Sequence, residues 1–145
     1  KGRRVDFTEV PLFIEGSDEY TAQLIEDFAN LLSRQVYRAD SERRREIHLA
    51  GVFACNFVNA LYAMATDRLA KSEELPFDVL RPLILETAAK AVEAEHPRDV
   101  QTGPAKRGDK VVAERHISML NDEPEKQTLY ELLDKYIFRT SHNQQ

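Results

Sequence analysis

The chain is short of the residues that small proteins use as staples. Of 145 residues one is cysteine, Cys55, and none is tryptophan. A single thiol cannot close an internal disulfide, which suits a reducing compartment. Glycine is scarce, with five in all, and no G-x-G-x-x-G or Walker pattern occurs, so no glycine-rich loop of this chain cradles a phosphate. No closely spaced set of cysteines and histidines suggests zinc, and no metal is expected. The G-x-S-x-G elbow of many hydrolases is absent. Net positive charge is missing too. The formal charge is −5, which argues against general nucleic-acid binding. No signal-peptide pattern leads the chain, and a cytoplasmic protein is the expectation.

What is present suffices for a core without staples, at 42% hydrophobic residues. Val5 to Glu15 alternates and is rich in Val, Phe and Ile, which predicts one or two strands. Pro11 lacks a ladder donor, so the strand lies at an edge or begins there. Ser17 is a candidate cap for a helix from Asp18 to Leu32, where Ile25, Phe28, Ala29, Leu31 and Leu32 recur at helical spacing. The stretch "RQVYRAD" then offers another short strand. Strand, helix, strand is an order used in α/β sheets, but so few strands are marginal alone. The chain opens Lys-Gly-Arg-Arg, without an initiator methionine, and runs straight into the strand. A piece of a longer polypeptide is the expectation; a trimmed tag is the plainer alternative.

From Ser41 to Lys71 there is no proline and one glycine, Gly51, which predicts a single long helix. Its middle, "LAGVFACNFVNALYAMAT", is apolar nearly all round, as in a central core helix or a membrane span. Asn56, Asn59 and charges near both ends favour the soluble, buried reading over the membrane one. A helix from about Phe77 to Ala94 follows, with Asp78 as candidate cap and Pro82 near its first turn. A long loop, Glu95 to Gly108, leads to a helix from Lys110 to Leu120 capped by Asp109. Asp122 starts the last helix, with Pro124 in its first turn and an apolar face of Leu129, Leu132, Leu133 and Tyr136; "SHNQQ" reads as a frayed end.

Two stretches hold the candidate site. On the long helix His48, Val52, Cys55, Asn56 and Asn59 are spaced three and four apart and would share a face, with His48 and Asn56 roughly 12 Å apart. The plainer account is that both asparagines satisfy buried backbone groups; the sharper one is that this face lines a crevice. Cys55 is expected to be a small buried filler. The arginines of "RRREIH" read as a solvated first turn, or less simply as an answer to an outside anion. Glu86 and Lys90 read as a surface ion pair. In "QTGPAKRGDKVVAERH" the plainer account is a shaped connector, with Thr102 bonding backbone, Gly103 in an unusual φ, Asp109 as cap and His116 as a satisfied core residue. The functional alternative brings Thr102, Arg107, Asp109 and His116 to one cleft edge, with Arg107 holding an anion and His116 titrating. The Arg-Gly-Asp tripeptide also occurs in adhesion ligands, a reading without support in a helical domain of this kind.

The stretches "ADSERRREIHLAGVFACNFVNALYAMA", "LPFDVLRPLILETAAKAV" and "QTGPAKRGD" followed by a histidine resemble a family of NAD(P)-dependent oxidoreductases. Its members carry a Rossmann-like domain and then a helical C-terminal domain long catalogued as of unknown function. The resemblance covers nearly the whole chain. It rests on H-x-A-x-V-F-x-C-N-F, then T-G-P-x-x-R-G-D and a histidine seven residues later, matched by His48, Ala50, Asn56, Thr102, Gly103, Pro104, Arg107, Gly108, Asp109 and His116. The helical domain is similar to the C-terminal domains of 6-phosphogluconate dehydrogenase and pyrroline-5-carboxylate reductase. The resemblance implies a mainly α fold, a helical bundle around one long central helix, in residues 41–145. It makes residues 1–40 the strand-helix-strand end of the Rossmann-like domain. It further implies a homodimer that closes over NAD or NADP in the full-length protein, with no cofactor bound by this piece alone. The partner molecule is a small substrate; neither nucleic acid nor membrane is expected. Asn56, Asn59, Thr102, Arg107, Asp109 and His48 would contact substrate, and His116 would be catalytic. Related hydroxyacid dehydrogenases place K-x-x-x-N on this helix. If Asn56 is that asparagine, Val52 stands at the lysine position, so their lysine-assisted chemistry does not transfer. A non-enzymatic helical dimerisation or scaffold module is the competing reading.

Overall fold

Asp18 opens the best-packed part of the molecule. Its backbone is extended and its carboxylate accepts from the free N–H of Thr21 at 2.7 Å, capping helix α1, Glu19–Asn30. Ser17, the expected cap, instead donates its hydroxyl to Asp18 at 3.1 Å. The computed structural model describes residues 4–72 and 75–142; the opening Lys1, Gly2 and Arg3 and the end of "SHNQQ" beyond His142 lie outside the described residues. Contacts divide the chain into two units, Lys1–Pro76 and Phe77–Gln145.

In the first unit strands β1, Leu12–Ile14, and β2, Val36–Arg38, pair in parallel with Phe13 opposite Tyr37. The predicted strand from Val5 is much shorter than expected. Asp6 accepts from Thr8 N–H at 3.0 Å and winds Phe7–Glu9 into a 3-10 turn ahead of Pro11. Helix α1 packs on the sheet face that carries Ile14 and Arg38. There Arg38 meets Glu19 at 2.6 Å, Glu26 at 2.7 Å and Gln23 at 2.8 Å. Gly16 allows this approach: a Cβ on it would lie 2.3 Å from the backbone nitrogen of Ala22. Ile14, Ala22, Ala29, Ala39 and Ser33 are the buried residues among those described. The Ser33 hydroxyl is satisfied, donating to Val10 O at 2.6 Å and accepting from Gln35 N–H at 3.0 Å.

Asp40 caps the long helix by accepting from Arg43 N–H at 2.8 Å. The helix runs Ser41–Ala70, close to the predicted span. It is not uniform: α2, Ser41–Gly51, passes through a π turn, Val52–Phe57, into α3, Val58–Ala70. The expectation of a buried hub is overturned within this chain, since no residue of the helix is buried. Phe53 is 61% exposed and Phe57 50%, and Cys55, expected as a buried filler, is exposed. The physical reason is that burial takes a covering surface, and the helix's own unit, Lys1–Pro76, does not bring one to it. By length and composition alone the helix could cross a membrane.

The second unit is helical. A 3-10 turn, Phe77–Leu80, precedes α4, Arg81–Glu93, with Pro82 in the first turn, where a missing donor does least harm. Asp78 lies in that 3-10 turn and pairs with Arg81 at 2.7 Å, so it does not cap α4 as expected. The predicted loop contains a turn of helix, α5, Pro104–Arg107. Helix α6, Lys110–Ser118, and α7, Pro124–His142, complete the unit, with α7 packed on α5 and α6. The last helix starts at Pro124, not at Asp122. Helical structure continues through Ser141 and His142, and His142 Nδ1 lies 2.8 Å from Phe138 O.

Helix α7 also corrects the predicted face. The half-buried residues Gln127, Tyr130, Asp134, Ile137 and Ser141 follow helical spacing and form its packed side. Leu132, Leu133 and Tyr136, expected to pack, are exposed. Overall the protein is mainly helical with a small parallel strand pair, as the sequence predicts.

Candidate functional site

The candidate residues of the first unit are His48, Asn56 and Asn59, and all three are exposed. Asn56 sits inside the π turn with Cys55. A π turn holds an extra residue, which rotates everything beyond it by about 100° relative to an unbroken α-helix. The shared face read from spacing in threes and fours therefore does not carry across Val52–Phe57. π turns recur at functional sites because they aim side chains that a regular helix would not. Here the turn also places Phe53 and Phe57 edge to face, with centroids 5.2 Å apart. Beside the start of the helix lies a cavity of about 500 Å³, lined by Phe13, Tyr37, Glu42, Arg43, Glu46 and Ile47. Arg44 is not available to an outside anion, because it pairs with Glu15 and donates to Ala39 O.

The second unit holds Thr102, Arg107, Asp109 and His116. Gly103 takes φ +103 and Gly108 φ +66, both in the region that glycine tolerates. These two residues bracket α5 and make the sharp entry and exit that a side chain would resist. At Gly108 a Cβ would meet the ring of Phe138 at 2.9 Å, so the glycine also lets α7 approach. Asp109 caps α6 as predicted, its Oδ1 accepting from Val112 N–H at 3.1 Å. Thr102 and Arg107 are exposed. His116 lies seven residues beyond Asp109, roughly 10 Å along α6. The unit thus places Arg107 near one end of α6 and His116 near the other. Glu86 and Lys90 form the expected surface pair at 2.9 Å.

His116 has a partner that the sequence did not indicate. Its Nδ1 lies 2.9 Å from the hydroxyl of Tyr130 on α7, and the two rings meet edge to face with centroids 5.7 Å apart. Burial, and then the negative charge of Asp134, pushes the Tyr130 hydroxyl above its ordinary value. Gln127, one turn before Tyr130, donates to Ile117 O at 3.1 Å and to Asn121 at 3.3 Å, fixing how α6 and α7 meet. The one hint available in the sequence was the spacing of Gln127, Tyr130 and Asp134 at three and four.

Among solved structures, the chain is similar to a Bacteroides fragilis protein named "putative NADP oxidoreductase BF3122". Identity is 51%, with a TM-score of 0.87, over 94% of this chain and 52% of that one. It is also similar to protein TM1727 of Thermotoga maritima, at 25% identity and a TM-score of 0.70, over 86% of this chain and 50% of that one. The chain spans about half the length of each. No curated protein matches it. The family described as "Domain of unknown function (DUF2520)" matches residues 10–137. With nearly the whole chain inside that match, the protein belongs to the DUF2520 family.

Proposed function

We propose that this chain is the helical part of a cytoplasmic NADP-dependent oxidoreductase, in which it supplies dimer contacts and one wall of the substrate cleft. The observation that carries the reading is the 51% identity, over 94% of the chain, to a protein named as an NADP oxidoreductase. In this reading residues 1–40 end the Rossmann-like domain and residues 41–145 form the dimerisation and substrate domain. Among the described residues no glycine-rich turn that would hold a dinucleotide pyrophosphate is found. Gly103 and Gly108 flank a four-residue helix and do not form a glycine-rich turn feeding a long one. NADP is therefore assigned to the remainder of the protein, where it would supply the hydride.

Asn56, Asn59 and His48 contact polar groups of a small substrate, and Thr102 is a further substrate-binding candidate. Arg107, exposed and always charged, holds an anionic group, and Asp109 keeps α6 in place behind it. His116 orients the reacting group or gives it a proton. A second copy of the chain covers the apolar side of Ser41–Ala70, whose exposed Phe53 and Phe57 support the dimer reading.

The test uses the full-length protein, assayed with both nicotinamide cofactors against small keto acids and imines. Asn56→Ala, Arg107→Ala and His116→Ala are each expected to lower kcat/KM by roughly ten- to a hundredfold, about 1.4 to 2.7 kcal/mol, with the melting temperature nearly unchanged. If the three substitutions mainly lower the melting temperature, the chain is a scaffold or dimerisation module. A need for detergent to extract the protein would move Ser41–Ala70 into a membrane. Tight NADPH binding by the 145-residue chain alone, measured by calorimetry, would end the division of labour proposed here.

A further inference from the structure

We infer that Tyr130 is a positioning residue that holds His116 as the tautomer carrying its proton on Nε2, so that neutral His116 meets substrate as a hydrogen-bond donor. The inference rests on the site reading above and goes further by naming the proton's place and the group that puts it there. His116 is half-buried near the end of α6, and its Nδ1 and the Tyr130 hydroxyl are 2.9 Å apart. Two arrangements satisfy that distance: the phenol donates to a bare Nδ1, or Nδ1–H donates to the phenol oxygen. The chemistry of the pair selects the first. An imidazole nitrogen is a strong acceptor. A phenol oxygen is a weak one, because its lone pair is shared with the ring, while its O–H is a good donor. The edge-to-face contact, with planes at 87°, and the Gln127 bonds to Ile117 O and Asn121 hold both rings in register.

With Nδ1 accepting, the proton of the neutral ring sits on Nε2, for which no hydrogen bond is found among the described residues. A donor there fits a substrate with an acceptor oxygen at its reacting end, a carbonyl or a carboxylate. It does not fit a bare general base, because a base would need Nε2 unprotonated. His116 thus polarises such an oxygen without itself changing charge.

The test is a long-range proton–nitrogen correlation spectrum of the ¹⁵N-labelled full-length protein, recorded above the ordinary imidazole pKa of about 6.5. The expected result is a bare Nδ1 and a protonated Nε2 on His116. A protonated Nδ1 overturns the proposal. In Tyr130→Phe the tautomers should mix, and kcat should fall by roughly tenfold, the size of losing one ordinary hydrogen bond, with KM and melting temperature close to the parent. An unchanged, pure Nε2–H tautomer in that variant removes Tyr130 from its role. The two readings separate cleanly. Activity lost in His116→Ala, together with a protonated Nδ1 in the parent, keeps the oxidoreductase reading and ends this one. Full activity in His116→Ala, with Nε2 protonated in the parent, ends the site reading and the substrate role of the donor.

Discussion

Ile14, Ala22, Ala29, Ser33 and Ala39 are the buried residues of the described chain, and all of them precede Asp40. From Ser41 to Ala70, where the sequence is most apolar, none is buried. The two regions differ in what their neighbours supply. The strand-helix-strand end carries its own cover: α1 lies across two paired strands, Gly16 lets it come close, and Arg38 ties it down with three polar contacts. The long helix has a stronger hydrophobic drive but no layer of its own unit over it. Hydrophobicity states a demand for burial and does not say which molecule meets it. The similar proteins are about twice as long as this chain.

The comparison can be broken most forcefully at the uncovered face. In the full-length protein, Phe53→Ser with Phe57→Ser should raise the dimer dissociation constant on the order of a thousandfold, taking about 2 kcal/mol for each ring lost from an interface core. Sedimentation equilibrium would read it. An unchanged dissociation constant would mean that the rings are covered by something other than a second copy.

A smaller effect is expected at the covered end. Gly16→Val should destabilise folding by about 3 kcal/mol, because its Cβ collides with backbone that cannot step aside. Chemical denaturation would measure it, and a loss under about 1 kcal/mol would show that α1 can shift away from β1. If Gly16→Val leaves the dimer intact while the double serine variant leaves the fold intact, the two regions are independent in energy as well as in burial.

The smallest effect comes from acid. Asp18 is held below the usual carboxylate range first by the backbone N–H of Thr21. Glu15 is held low first by the Ser41 hydroxyl, and Asp6 first by that of Thr8. A carboxylate with a lowered folded pKa stabilises the fold fully above its ordinary value of about 4, and loses that contribution as pH falls through the folded value. The melting temperature should therefore decline as pH drops from about 5 to about 3, where these groups take up protons. In Asp18→Asn, which still caps the helix but does not titrate, the decline should be shallower. An identical slope would remove this cap from the acid response.

How much of this was legible beforehand depended on distance along the chain. Asp109 was readable as a cap because its bond to Val112 spans three residues. Gly103 and Pro104 were readable as a turn for the same reason. The strand-helix-strand order and the span of the long helix followed from periodicity. The π turn was not legible, since a 3.6 period was assumed where one extra residue is accommodated. Of the predicted apolar face of α7, Leu129 is half-buried while Leu132, Leu133 and Tyr136 are exposed. Gln127 and Tyr130 face α6, where they bond Ile117 O and His116. The bond from Tyr130 to His116 spans fourteen positions, beyond any local rule.

The sequence by itself determined which segments are helical, where most of them start, and that one segment is too apolar to stand in water uncovered. These follow from interactions within a turn or two of backbone: caps, glycine conformations and side-chain period. Only the tertiary structure decided that the long helix stays uncovered within its own unit, that α7 turns a mixed face inward, and that His116 shares a bond with Tyr130. Each of these depends on which surfaces meet, and residues far apart in sequence compete for the same contact on equal terms.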